Sequence, residues 1–427
     1  MNSIINTQVV IVGGGPGGAA SSVFLSEKGI QSVVIEKESF PRFHIGESMT
    51  GECGNMVRRL GLEEALHVVP KTIKHGVSVY GQGGINAFWI PVMRRTETGE
   101  LEKAETWQVR RGEFDQLLLD KAKDSGATIV RGKALKVITN DENVPCGVTV
   151  RQEDGELVDI MADIVIDASG AATFLSTAGI TSEKERGNYD RQIAIYSHVK
   201  GAVRDEQDNT LIFYRKKNHW AWFIPLDEET VSIGVVTPSS YYRSSNEDMR
   251  DYYLREMHKI NPQLSQRVPD VNLVEEVRAT SNYSYHIRNF TGKGFLCVGD
   301  AHRFIDPIFS FGLHFALTEA KFAADAIADY LLDGVGKDLE NPFAEYERHC
   351  ELGMDTIQDV LDCFWDHPIS FAFFAHSRYN EDIIDIFAGR IYQKQPSRGL
   401  QAVRKINAKG RLAAADKTPD MMSAMAD

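Results

Sequence analysis

Val9-Val10-Ile11-Val12-Gly13-Gly14-Gly15-Pro16-Gly17-Gly18 is the stretch whose reading decides the fold. Its first four residues are an unbroken β-branched run, the pattern of a strand covered on both faces in a parallel sheet. Gly13, Gly15 and Gly18 then fit G-x-G-x-x-G. Ala19, Ala20, Ser21 and Ser22 follow, with Phe24, Leu25 and Gly29 beyond, as expected of a helix packed closely on a sheet. The next strand, Ser32 to Ile35, ends in Glu36. Glycines let the backbone approach a pyrophosphate, a helix N-terminus stabilises its charge, and an acid at this point accepts from ribose hydroxyls. Strand, glycines, helix, strand and acid in that order predict a dinucleotide site.

A second signal lies far downstream, in the segment from Gly294 to Gly312, GFLCVGDAHRFIDPIFSFG. The apolar strand Phe295-Leu296-Cys297-Val298 delivers Gly299-Asp300, Asp306-Pro307 follows, and a helix begins near Gly312. Asp300, at a strand end near a helix N-terminus, suits ribityl or ribose hydroxyls, and the helix can turn its positive end to a flavin's pyrimidine edge. Cys297 reads as a small buried hydrophobe of its strand. Two nucleotide motifs at opposite ends of one chain point to FAD on a Rossmann-type lobe. In between, Asp163 to Gly170 is a strand ending in Asp167-Ala168-Ser169-Gly170, with no Arg through Ser176.

Trp220-Ala221-Trp222-Phe223-Ile224-Pro225 is the least ordinary string, holding two of the chain's five tryptophans. Strand side chains alternate, so Trp220, Trp222 and Ile224 share a face and Pro225 ends the strand or marks its edge.

Composition excludes several classes. The chain has 427 residues, 43% hydrophobic and 25% charged, as in a soluble globular protein of two joined lobes. A net charge of −13 disfavours nucleic acid as a partner, and no basic cluster suits a membrane surface. The five cysteines, Cys53, Cys146, Cys297, Cys350 and Cys363, form no CxxC, which predicts a reducing compartment without disulfides. The twelve histidines show no HExxH, so no metal site is expected. No apolar run approaches the ~20 residues of a membrane span. The first strand leaves no room for a signal peptide. A cytoplasmic location is expected.

With these motifs assembled, the chain resembles the FAD-dependent monooxygenase fold of aromatic hydroxylases, and within it the flavin-dependent halogenases, over roughly residues 5–390. Four segments carry the resemblance. They are the glycine motif, Phe40-Pro41-Arg42-Phe43-His44-Ile45-Gly46-Glu47-Ser48 as the family's strap loop, the Gly299-Asp300…Asp306-Pro307…Phe309-Ser310…Gly312 block, and Trp220-x-Trp222-x-Ile224-Pro225. Strap and tryptophan string separate halogenases from ordinary hydroxylases. The Asp167-Ala168-Ser169-Gly170 form is similar to that of halogenases, which lack a nicotinamide site.

The resemblance implies an enzyme of secondary metabolism, such as antibiotic biosynthesis. FAD would arrive reduced from a separate flavin reductase. Oxygen and chloride or bromide would yield hypohalous acid, which passes through a tunnel to a lysine and halogenates an electron-rich ring. Backbone amides of Ser310-Phe311-Gly312 would hold the halide. Phe311 stands where the family commonly has a small residue, and its side chain can point away because the donors are backbone groups. In the family the lysine follows the strap and precedes a Gly and a strand. Lys74, before His75-Gly76 and the run to Tyr80, fits, and Lys71 is its competitor. Burial would depress its pKa and raise its nucleophilicity. Trp220 and Trp222 would wall the flavin from the substrate. Arg42 and Arg111 would contact FAD, and Glu47 would hold the strap near it. The strap and the compact length suggest a phenol or pyrrole substrate, free or tethered to an acyl carrier protein. The alternatives are an FAD-dependent hydroxylase that kept the halogenase frame, and a flavin-binding module without catalysis.

The expected architecture is α/β. A discontinuous FAD-binding lobe spans 1–80, 105–180 and 275–335. An antiparallel-sheet substrate lobe spans 81–104 and 181–274, followed by a helical region, 336–415, and a flexible tail, 416–427. The aromatics of 364–374 either lid the pocket or pack the C-terminal helix on the body.

Overall fold

The computed structural model describes residues 2–96 and 98–415, and the expected tail at 416–427 lies outside the described residues. Val9–Val12 is fully buried and pairs in parallel with Ser32–Glu36 on one side and Ile164–Asp167 on the other. Continuous burial on both faces is what an all-apolar strand requires. Among the described residues this sheet has nine strands. They run Ser3–Asn6, Leu157–Met161, Pro145–Gln152, Thr128–Thr139, Ser32–Glu36, Val9–Val12, Ile164–Asp167, Phe295–Cys297 and Thr291–Gly292. The two nucleotide motifs therefore emerge from parallel strands that are separated by one strand, Ile164–Asp167.

Steric limits explain the glycines. Gly13 has φ +108°, and a Cβ there would lie 2.4 Å from the Ala168 carbonyl oxygen. A Cβ on Gly18 would lie 1.9 Å from the Gly13 oxygen. Nothing larger fits where helix Pro16–Glu27 turns back over the sheet. That helix packs against Gly312–Leu331, which follows the second motif.

The second sheet runs Asn272–Leu273, Gln192–Lys200, Thr230–Pro238, His219–Pro225, Thr210–Lys216, Gly76–Tyr80 and Asn86–Pro91, with Arg278–Ser281 also pairing to Gln192–Lys200. It is antiparallel except where Thr210–Lys216 meets Gly76–Tyr80. Strands Gly76–Tyr80 and Arg278–Ser281 are hydrogen-bonded into this second sheet. The tryptophan strand ends at Pro225, and its side chains alternate between two cores. Trp220, Trp222 and Ile224 join one with Ile212, Val236, Met354 and Phe364. Ala221 and Phe223 join the other with Ile233, Tyr252 and Tyr253.

Helices close the C-terminal side: Ala344–Asp366, Pro368–Phe373, Asn380–Ala388 and Arg398–Ala415. Phe364, Trp365, Phe371 and Phe374 are buried in the same core as the tryptophan pair, so these aromatics do pack the helices on the body.

Candidate active site

A cavity of about 970 Å³ runs between the two sheets. At one end lie Gly13, Gly15, Glu36, Arg42, Arg111 and Asp300; at the other lie Trp220, Trp222, Ile224, Tyr283, Phe315 and Met354. Glu47, Ser48, Ser310, Phe311 and Gly312 line it as well.

The glycine end fits a dinucleotide. Helix Pro16–Glu27 begins at Gly15 with no side-chain cap, leaving its first amides to a ligand. A Cβ on Gly15 would meet only the Arg42 guanidinium, at 3.6 Å. Glu36 accepts from the Gly14 amide at 2.8 Å and the Glu38 amide at 2.7 Å, which fixes its carboxylate at the end of the second strand. Arg42 and Arg111 converge on one buried carboxylate: Arg42 reaches Asp115 at 3.2 Å, and Arg111 grips it at 2.8 and 3.0 Å. Arg111 also donates to the Ile45 carbonyl at 2.7 Å, tying the strap to helix Arg111–Asp124. Burial raises the Asp300 carboxyl to about 7, so it can donate as well as accept a hydrogen bond near neutrality. An FAD would be held by these groups.

The second motif is pinned from behind. Glu319 accepts from the Gly299 amide at 2.7 Å and contacts His302 at 3.0 Å, both wholly buried. Helix Gly312–Leu331 has no side-chain cap, and a Cβ on Gly312 would meet nothing within 4 Å. Open space in front of uncapped amides suits a small anion. Phe311 is among the lining residues, with its ring packed in the core shared with the tryptophan pair, 5.7 Å from that of Phe315.

Lys74 is 3% exposed and donates to Ser48 Oγ at 2.8 Å and the Met49 carbonyl at 2.9 Å. Burial lowers its ammonium to about 7. It is not itself a lining residue; it meets the cavity through Ser48, which does line it. Ser48 in turn contacts Thr210 Oγ1 at 2.7 Å, and Thr210 donates to Gln108 at 2.6 Å. Lys71, the competitor, donates to the Leu66 carbonyl at 2.8 Å.

The tryptophan end carries a second polar chain. Trp222 Nε1 donates to Ser232 Oγ at 3.0 Å, and Ser232 donates to Glu47 at 3.3 Å. His198 bridges Glu47 at 2.9 Å and Glu275 at 3.1 Å. Trp220 Nε1 has no hydrogen-bond partner among the described residues. Sequence reasoning missed Asp115, Ser232, His198 and Glu319. Only Asp115 carried a local signal, four residues after Arg111 on one helix face.

Among the described residues no group of His, Cys, Asp and Glu could hold a metal ion, and no helix is long and apolar enough to cross a membrane.

Known proteins share this fold. The family described as FAD binding domain matches residues 6–351. The 1H-pyrrole-2-carbonyl-[peptidyl-carrier protein] brominase of Pseudoalteromonas luteoviolacea is 37% identical over 90% of this chain and 91% of its own. The corresponding chlorinase of Pseudomonas fluorescens is 28% identical over 96% of this chain and 94% of its own. The structure of the flavin-dependent brominase Bmp2 superposes with a TM-score of 0.88 at 34% identity, covering 96% of this chain and 100% of that one. The chain belongs to the FAD-binding domain family and, within it, to the flavin-dependent halogenases. It is an FAD-dependent oxidoreductase whose co-substrate is a halide.

Proposed function

We propose that the protein halogenates a pyrrole-2-carbonyl group, or a ring of similar electron richness, presented on a carrier protein. Two relatives named for that substrate align over nine-tenths or more of this chain, which supports the reading. A separate reductase would supply the reduced cofactor. Bound reduced FAD, with oxygen, supplies the oxidising power that turns chloride or bromide into hypohalous acid.

The chain's own residues do the rest. The uncapped amides at Gly312 would hold the halide, with Ser310 and Phe311 shaping the pocket. Trp220 and Trp222 would keep the ring to be halogenated away from the cofactor. Lys74 would capture the small oxidant. Burial lowers its pKa to about 7, so near neutrality about half the amines carry a free lone pair, while Ser48 and Met49 orient the nitrogen. Glu47, anchored by His198, would hold the strap between the two compartments. Lys74 is the single observation that carries this reading: a wholly buried lysine with no carboxylate partner among the described residues, one hydroxyl from the cavity.

The test is incubation with reduced FAD, oxygen and bromide or chloride, using pyrrolyl-loaded carrier and a panel of phenols. A product heavier by one halogen, lost in Lys74→Ala while FAD binding persists, is expected. Hydroxylated product formed without halide would overturn the proposal in favour of a hydroxylase on the same frame.

A further inference from the structure

Helix Arg398–Ala415 carries Arg398, Arg404, Lys405, Lys409 and Arg411 and no acidic residue, in a chain of net charge −13. Its inner face is anchored. Leu400 and Val403 enter the core shared with the tryptophan pair, Arg404 binds Asp359 at 2.7 Å, and Asn407 donates to the Asp359 carbonyl at 2.8 Å. Its outer face is not neutralised: Arg398, Lys405 and Lys409 are exposed and make no ion pair among the described residues. Gly410 touches the start of the next surface element. A Cβ there would lie 2.6 Å from Nε2 of His367, the residue from which Pro368–Phe373 begins. Two residues on is Ile369, 87% exposed, and one turn later Phe373, 51% exposed. An apolar pair thus stands beside a row of free cations.

This face backs directly onto the cavity. Helix Ala344–Asp366 contributes Asp359 to the basic helix and Met354 and Ile357 to the cavity wall. One helix layer, roughly 10 Å, separates the surface from the site.

We propose that Ile369, Phe373, Lys405 and Lys409 form the docking face for an acidic carrier protein, whose tethered acyl ring then reaches the cavity beside it. This rests on the reading of a carrier-bound substrate given above. Carboxylates on the partner would meet the lysines, giving orientation and rapid encounter, while the apolar pair supplies the desolvated centre of the contact. The charge match favours an acidic partner, since this helix carries five basic residues and no acidic one.

The experiment compares two forms of one substrate: the pyrrole-2-carbonyl thioester of a carrier protein and the same acid as a soluble pantetheine thioester. The doubly substituted Lys405→Glu/Lys409→Glu enzyme should raise KM for the carrier form tenfold or more and leave kcat and the soluble thioester unchanged. Ile369→Ser should raise the same KM without changing its dependence on a non-halide salt. Unchanged turnover of the soluble thioester shows that each variant is folded. An unaltered carrier KM in both variants overturns the docking face. Binding of anionic phospholipid vesicles that the double substitution abolishes, with the carrier KM unaltered, overturns it in favour of a membrane surface. Failure of the unsubstituted enzyme to halogenate either form overturns the carrier reading itself, and the docking face with it.

Discussion

His198 Nε2 lies 2.9 Å from a Glu47 carboxylate oxygen, joining the middle of the second sheet to the strap loop. Glu47 is 1% exposed, so the pair stands in low dielectric. Burial alone would lower the His198 pKa, but hydrogen bonding and charge from Glu47, with Glu275 beyond, outweigh it and hold the pKa above the usual imidazole value; Arg110 opposes them. His198→Ala leaves the buried Glu47 carboxylate without its ionic partner, keeping only the long hydrogen bond from Ser232, and should cost about 3 kcal/mol. A histidine with a raised folded pKa stabilises fully below its unfolded pKa and loses that contribution as pH rises through the folded value. The gap in Tm between the native enzyme and His198→Gln should therefore narrow on going from pH 6 to pH 9. A gap that is constant with pH would show that the pair carries no charge.

Lys74 gives the opposite slope. Its folded pKa is lowered to about 7 from 10.5, so between those values the unfolded chain binds more protons, and stability rises with pH. Lys74→Met removes the burial cost. It should raise Tm more at pH 6 than at pH 9.5 while abolishing halogenation, with FAD binding unchanged. Product formation by the native enzyme should rise with a midpoint near pH 7, as the free amine appears.

The two indoles differ in their attachments. Trp222 has Ser232 as partner and Trp220 has none among the described residues, so Trp222→Phe should cost roughly 1 kcal/mol more than Trp220→Phe in urea denaturation. Gly234 supports the first ring from below: a Cβ there would fall 2.1 Å from it. Gly234→Ala should displace the indole and reduce halogenated product relative to cofactor oxidised.

Gly312 tests the halide pocket without disturbing the fold. Because a Cβ there meets nothing within 4 Å, Gly312→Ala should leave Tm almost unaltered, yet raise the KM for bromide or chloride several-fold by narrowing the space before the amides. An unchanged halide KM would move the anion elsewhere.

Local chemistry made part of this legible in the sequence. Gly18 is dictated by a backbone contact five residues away, at Gly13, and the alternation of Trp220, Trp222 and Ile224 follows from strand geometry. The helix at Gly312 starts where the glycine predicts. The polar chain behind the strap was not legible, because it joins residues 151 positions apart and neither strand nor loop marks its partner. The setting of the Phe311 ring was not legible for a related reason: it depends on Phe315 and the surrounding core rather than on the backbone it follows.

The alternation of the tryptophan strand has a practical corollary for redesign. Residues 220, 222 and 224 border the reaction space, whereas 221 and 223 belong to a separate packing unit with Tyr252 and Tyr253. A library that varies only the even-numbered positions can therefore reshape which rings are admitted, while the odd-numbered ones keep the scaffold assembled.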